Sequence, residues 1–300
     1  RIQQAAVDAG YIPDERAKSL KSANASKIGV IIPDISNPAY PGTVRVLHDL
    51  MKSKGYSLLI GNTYGEEREE RQLLDMMRRE RVAGVIVAAS ENGNGPYVHH
   101  AFDSLCAQGI HSVFLGSACQ QLQYDSVRTN NTSGAERLTD YLIRTGRDKI
   151  AFISGRESIQ TSERLKGYQA SLNHHGISYE QSRVICSGPF TVENGARLAR
   201  PLLAKHRVDA IFCANDLMAI GVLQAAVSLG IRVPHDIAVA GFDDIPMAEW
   251  VTPRLTTVRQ NFEELAGTAC ELLLERINGQ ADKDAIDLVI DPELIVRESA

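Results

Sequence analysis

Carboxylates, amides and one guanidinium recur in this chain at the ends of short apolar runs and at the polar corners beside them. In the first half they are Asp34, Asn37, Ser90, Ser117, Asn130 and Asn131; in the second they are Arg164, Asn215, Asp216, Asp243 and Asp244. Gathered into one cleft, such a set suits a neutral polyol, because each hydroxyl needs both a donor and an acceptor and a missing partner is costly. Tyr40 and Phe190 stand near such corners and can supply apolar walls. Taken singly, each polar residue can equally cap a helix or close a turn, and for Asn215 and Asp216 the two readings stand side by side.

Other chemistries lack their residues. There is no G-x-x-x-x-G-K-[ST] phosphate loop, no G-x-G-x-x-G after a strand and no G-x-S-x-G elbow. His99–His100 and His174–His175 are adjacent pairs whose side chains diverge on a helix or strand, and no HExxH or paired-cysteine spacing accompanies them. No nucleophile–base pair stands out. The sequence therefore predicts no catalytic residue, no metal and no cofactor, and the chain is read as a binding protein rather than an enzyme.

The corners need strands and helices to position them. Val208–Leu229 (VDAIFCANDLMAIGVLQAAVSL) opens with a branched apolar run, turns at Asn215–Asp216, and continues with Leu217, Ile220, Leu223 and Leu229 at helical spacing before Gly230. This is a strand, a polar corner and a helix. Val82–Ser90 (VAGVIVAAS) resembles Val208–Asp216 at an offset of 126 residues. Lys27–Asp34 resembles Lys149–Arg156, and Ile110–Ala118 loosely matches Asp236–Asp244. Three such units in one order in both halves predict an α/β chain of two Rossmann-like lobes with parallel sheets and a ligand cleft between them. Gly55, Gly109, Gly146, Gly176, Gly230 and Gly279 each follow a helical pattern as a stop signal. Glu66–Arg81 is charge-dense with Leu73, Leu74, Met76 and Met77 along it; it reads as a solvated helix face or a subunit contact, as do Val44, Leu47, Leu50 and Met51.

Composition sets the outer limits. With 44% hydrophobic and 23% charged residues in 300, the chain has material for two ordinary domains, and no apolar run reaches transmembrane length. No contact with a membrane is expected. Five cysteines, odd in number and widely spaced, read as free thiols of a reducing, cytoplasmic compartment. The net charge of −5 divides unevenly: residues 1–27 hold five bases and three acids, a net +2, which leaves −7 for the rest. The basic leader, with a short helix candidate at Pro13–Lys21, hints at a polyanionic partner at that end.

These stretches resemble the lactose/galactose repressor (LacI/GalR) family of transcriptional regulators. Arg1–Leu20 is similar to the end of its DNA-binding headpiece and its hinge helix. Ile28–Tyr40, Thr161–Tyr168, Phe212–Gly221, Ala240–Pro246 and Thr252–Gln260 match its recurrent blocks in the right order. The resemblance implies a periplasmic-binding-protein-like core whose cleft takes a small effector, a sugar or derivative first and a nucleobase second. It places Arg164, Asn215 and Asp243 on positions that hydrogen-bond the effector and Tyr40 and Phe190 on positions that pack against its ring; Ser90 and Ser117, at their strand ends, complete the candidate ligand site. Arg16, Ala17, Lys18 and Leu20 fall on the DNA-binding hinge, Leu20 on the leucine that wedges into the minor groove. Partners implied are operator DNA, through a headpiece of which only the tail is present, and a second copy of the chain.

The chain departs from the family pattern at several points. Leu115–Gly116–Ser117 replaces a frequent Ile-Asp-Arg, Pro189 precedes Phe190 where Asp is common, Asn130 stands for Asp, and Asp14–Glu15 replace Asn-Ala at the hinge. The expected division is 1–26 for the headpiece remnant and hinge, 27–129 with 259–284 for the first lobe, and 130–258 with 285–300 for the second. A solute-binding protein of a transporter, which shares the lobe architecture, is the alternative; the Pro13–Lys21 helix and the odd cysteines speak against it.

Overall fold

A computed structural model describes residues 26–88, 96–116, 124–204, 207–280 and 284–300. The first lobe is built on a parallel sheet of β1 (Lys27–Ile32), β2 (Ser57–Asn62), β3 (Gly84–Ala88), β4 (His111–Leu115), β5 (Asp125–Thr129) and β11 (Asp287–Ile290), in the order β11-β5-β4-β3-β1-β2. The second carries β6 (Ile150–Ser154), β7 (Val184–Cys186), β8 (Ala210–Cys213) and β9 (Ala238–Ala240), in the order β7-β6-β8-β9. The first four strands of each sheet thus take the same order, which is the structural form of the repeat in the sequence. An antiparallel pair, β10 (Thr257–Arg259) and β12 (Glu293–Ile295), runs on from β9 through single bridges at Ala240–Thr256 and Asp243–Arg259.

Nine helices are described: α1 (Ala39–Ser53), α2 (Glu67–Arg79), α3 (Pro96–Cys106), α4 (Asn131–Arg144), α5 (Ile159–His174), α6 (Val192–Ala204), α7 (Asp216–Ser228), α8 (Met247–Trp250) and α9 (Phe262–Ile277). The central strands are buried along their length, so successive residues feed opposite faces. Val30 and Ile86 pack with Leu47, Met51, Ala269 and Leu273 of α1 and α9, while Ile31, Val85 and Val87 pack with Leu74, Met77, Phe102 and Leu105 of α2 and α3. In the second lobe Ile153 and Ile211 face α6 and α7, and Phe152 and Phe212 face α4 and α5. The apolar sides of α1 and α2 are therefore used within their own lobe. Of the residues weighed for a subunit contact there, Leu50 is the large one left exposed, at 39%.

α7 is buried almost all round, and glycine permits this. A Cβ on Gly221 would lie 2.0 Å from the Val192 carbonyl oxygen, and one on Gly195 would lie 2.2 Å from that of Met218. The two helices thus meet backbone to backbone.

One boundary differs from expectation. Residues 287–290 form β11 beside β5 in the first sheet, so the chain changes lobe near Asp291 and Pro292 rather than at Ala285. The side chains explain the pairing: Arg128 of β5 holds the Asp287 carboxylate at 2.9–3.1 Å, and Ser126 donates to it at 2.5 Å. The three crossings meet. The Thr129 hydroxyl donates to Gln260 Oε1 at 2.7 Å, and Asn130 Nδ2 donates to Asp291 Oδ1 at 2.9 Å.

Candidate functional site

The strands of the six-stranded and four-stranded sheets are all parallel, so their carboxyl ends and the turns that follow gather on one side, where open α/β sheets bind ligands. A cleft of about 270 Å³ opens there between the lobes. The turn after β1 and the start of α1 supply Asp34, Asn37, Tyr40 and Thr43. The turn after β6 and the start of α5 supply Arg156, Ser158, Thr161 and Arg164. Phe190, Asn215 and Asp243 come from the turns after β7, β8 and β9, and Gln260 and Phe262 from the second crossing.

Arg164 is 7% exposed on α5, and every arm of its guanidinium is engaged. Nε donates to Asn131 Oδ1 at 2.9 Å, Nη1 donates to the Ala214 carbonyl, and Nη2 stands 3.6 Å from Asp243 Oδ1. The group lies 3.8 Å over the Phe242 ring. Burial pulls its pKa below the ordinary value, with the Asp243 charge opposing. Asn131 is oriented in turn, because its Nδ2 donates to Glu163 Oε2 at 2.9 Å and so its oxygen must face Arg164.

Asp243 sits beside this cation in a left-handed backbone conformation, φ 117°. Its amide donates to the Val258 carbonyl at 2.8 Å, and its Oδ1 accepts from Gln260 Nε2 at 2.6 Å. Burial pushes its carboxyl up to about 6, against the pull of Arg164 and of the Gln260 hydrogen bond. Asn215 caps α7 by accepting from the Met218 amide at 3.0 Å. Its Nδ2 makes no bond to the described residues, so one side chain serves both as a cap and as a group facing the cleft.

Other polar residues of the sequence reading go elsewhere. Asp216 is fully buried, accepting from Thr257 Oγ1 at 2.5 Å and the Ile245 amide at 2.9 Å, and burial drives its carboxyl well above the usual range. Asp244 pairs with Arg259 and Arg297, each at 2.7 Å. Asn130 caps α4 through the Ser133 amide. Asp34 borders the cleft, but its carboxylate accepts from the Ser36 amide and hydroxyl and so closes its own turn. Ser90, Ser117 and the hinge residues Arg16, Ala17, Lys18 and Leu20 lie outside the described residues.

Gln260 was expected from sequence only as a crossing between the lobes, and neither it nor Thr161, Arg156 or Tyr64 was singled out as a ligand-site residue. The signal for Gln260 was its place at a lobe crossing, where one amide can bond both Thr129 and Asp243. Among the described residues no group of three or more His, Cys, Asp or Glu is arranged to hold a metal. No helix of the described residues is long and apolar enough to cross a membrane. The buried Arg164–Asp243 pair with the half-buried Gln260 amide on one side and aromatic edges on the other can bind a compact hydroxylated ligand.

Known proteins agree with this architecture. Residues 139–300 match the periplasmic binding protein-like domain. The ribose operon repressor of Escherichia coli K12 is 32% identical over all of this chain and 90% of its own length. The transcriptional repressor PurR of Photobacterium profundum is 30% identical over all of this chain and 88% of its own. A LacI family regulator from Enterococcus faecium, solved with bound ribose, superposes with a TM-score of 0.80 at 26% identity, over 91% of this chain and 98% of that one. Two lobes of like topology, a polar cleft between them and full-length similarity to such repressors place the chain in the LacI/GalR family of transcriptional regulators, as its effector-binding core.

Proposed function

We propose that the cleft senses a single small neutral polyhydroxy effector, a sugar or sugar derivative, and that its occupancy sets operator binding. One observation carries this reading: the buried Arg164–Asp243 pair, with the half-buried Gln260, faces the cleft from the second lobe and the crossing, with Tyr40 across from it on the first. Donors and acceptors alternate there, as a ring of hydroxyls requires. Gly116 borders the cleft where the family often carries an aspartate, and Ser117 stands where it often carries an arginine, so the loss of both charges favours a neutral effector over a charged one. The ribose bound to the Enterococcus faecium regulator supports the same chemical class. Tyr40 and Phe190 serve as ring walls, Asn215 as a further donor, and Ser90 and Ser117 as contributors from the first lobe.

The wider proposal follows the relatives. The chain acts in the cytoplasm without catalysis, as a homodimer whose Arg16, Ala17, Lys18 and Leu20 hinge meets operator DNA. Trp250 and Val227, 74% and 72% exposed, are apolar surface suited to a second copy; sedimentation as a monomer at micromolar concentration would remove that part.

Thermal shifts across sugars, sugar phosphates, sugar acids, nucleobases and nucleosides test the effector. A ligand at about 100 times its Kd adds roughly 2.7 kcal/mol to stability. Asp243→Asn and Arg164→Lys are each expected to weaken that ligand by about tenfold or more, since each disturbs a charged hydrogen-bonding group. Unchanged affinity in both variants would remove the site assignment.

A further inference from the structure

The mouth of the cleft carries a lobe-to-lobe contact that effector binding alone does not account for. Arg156 lies in the turn after β6, fixed to the second lobe where its amide donates to the Gly188 carbonyl at 2.7 Å. Its guanidinium crosses to the first lobe. Nη2 donates to the Tyr64 carbonyl at 3.1 Å, and Nη1 stands 3.8 Å from Glu66 Oε1. The receiving loop is also held in place. Thr63, 1% exposed, accepts from the Gly65 amide through its hydroxyl and from the Glu66 amide through its carbonyl, and Tyr64 takes φ 55°.

Arg156, Tyr64 and Gly65 all border the cleft, and Tyr64 is 68% exposed, so the contact stands at its solvent end. The volume of about 270 Å³ falls below the range of about 300–1,000 Å³ usual for drug-sized ligands. On that volume a ligand of one ring would lie beneath the contact, and a second ring attached to it would have to leave through the mouth and displace the guanidinium from the Tyr64 carbonyl.

We propose that Arg156 is a specificity-determining residue: its contact with Tyr64 closes the mouth and restricts the effector to a single-ring saccharide, excluding the corresponding disaccharides. This rests on the saccharide reading of the cleft given above. The discrimination comes from a lost charge-assisted hydrogen bond at the rim, not from the Arg164–Asp243 floor, which meets the first ring in either case.

Calorimetric titration of the whole chain with monosaccharides, and with disaccharides containing each of them, tests the proposal. The wild type is expected to bind one monosaccharide and its disaccharides about tenfold more weakly or worse. Arg156→Ala is expected to bring the two lengths within about twofold of one another. The ratio is the readout, because general damage to the lobe weakens both lengths together. Glu66→Gln, which removes the longer ionic arm but leaves the Tyr64 hydrogen bond, is expected to keep the wild-type ratio. A wild type that takes both lengths equally well overturns the gate, and so does an Arg156→Ala protein with the original ratio. If no saccharide of either length binds the wild type, the saccharide reading itself fails and the size gate with it.

Discussion

Asp243 and Asp244 are neighbours in sequence with opposite fates. Asp243 turns into the cleft beside Arg164, while Asp244, at φ 57°, turns back to Arg259 and Arg297. Side-chain type could nominate both and could not choose between them, because the choice is made by two consecutive left-handed residues whose backbone is held by β10. Asn215 was legible because it caps a helix after an apolar strand, and Arg164 because it stands in the Thr161–Tyr168 block of the family resemblance; Gln260 was legible only as a lobe crossing, since no local pattern shows that a crossing residue also reaches the cleft. The burial of Asp243 has a measurable consequence. Its folded pKa, about 6, lies above the ordinary carboxyl value, so the folded state holds the proton more tightly than the unfolded one. Stability from this group is full below pH 4 and is lost as pH rises through about 6. The shift corresponds to about 3 kcal/mol at most. Asp243→Asn removes that titration, so its stability relative to wild type is expected to rise between pH 4 and pH 7 in urea unfolding. A difference flat with pH would show that the carboxyl is not held neutral by burial.

At the scale of elements, the strands and most helix ends were readable. Gly55, Gly109, Gly146, Gly176, Gly230 and Gly279 all take positive φ, as helix stops require. What escaped was assignment: DLVI at 287–290 is a strand by composition, but the Arg128 and Ser126 contacts that fix it to the first sheet lie about 160 residues away in sequence. Helix contacts were equally silent. Gly221 lies inside a helix, where alanine would ordinarily gain, yet its Cβ would strike the Val192 carbonyl. Gly221→Ala is expected to cost about 1–3 kcal/mol as α6 and α7 are forced apart. Gly42→Ala, in α1 with nothing within 4 Å of the added carbon, is expected to gain about 0.5–1 kcal/mol from helix propensity. Denaturant unfolding of the two variants checks the pair, and equal effects would mean that the helix contact adapts freely.

The molecule as a whole is two cores joined by three crossings and by contacts across the cleft. Each lobe has its own apolar clusters, and one small cluster is shared: Ala39 at the start of α1 meets Ile220 of α7 and Ile245, with Leu217, Val192 and Phe262 around them. This seam and the Arg156 contact both hold the lobes together across the cleft, so removing either is expected to lower the fraction of molecules with the lobes closed before any ligand arrives. Apparent affinity then falls by that fraction, because a ligand that needs the closed form is bound only by it. Ile220→Ala removes buried apolar volume from the seam alone, at a cost expected at the low end of the 2–5 kcal/mol usual for such a change, since the lobes can separate rather than keep a cavity. Small-angle scattering is the direct measurement. The ligand-free variant is expected to be more expanded than the wild type, and a saturating effector is expected to return both to one radius, because the ligand restores closure through the Arg164–Asp243 floor. A ligand-free variant as compact as the wild type would mean that the crossings alone set the lobe angle, and that the effector acts on a core already closed.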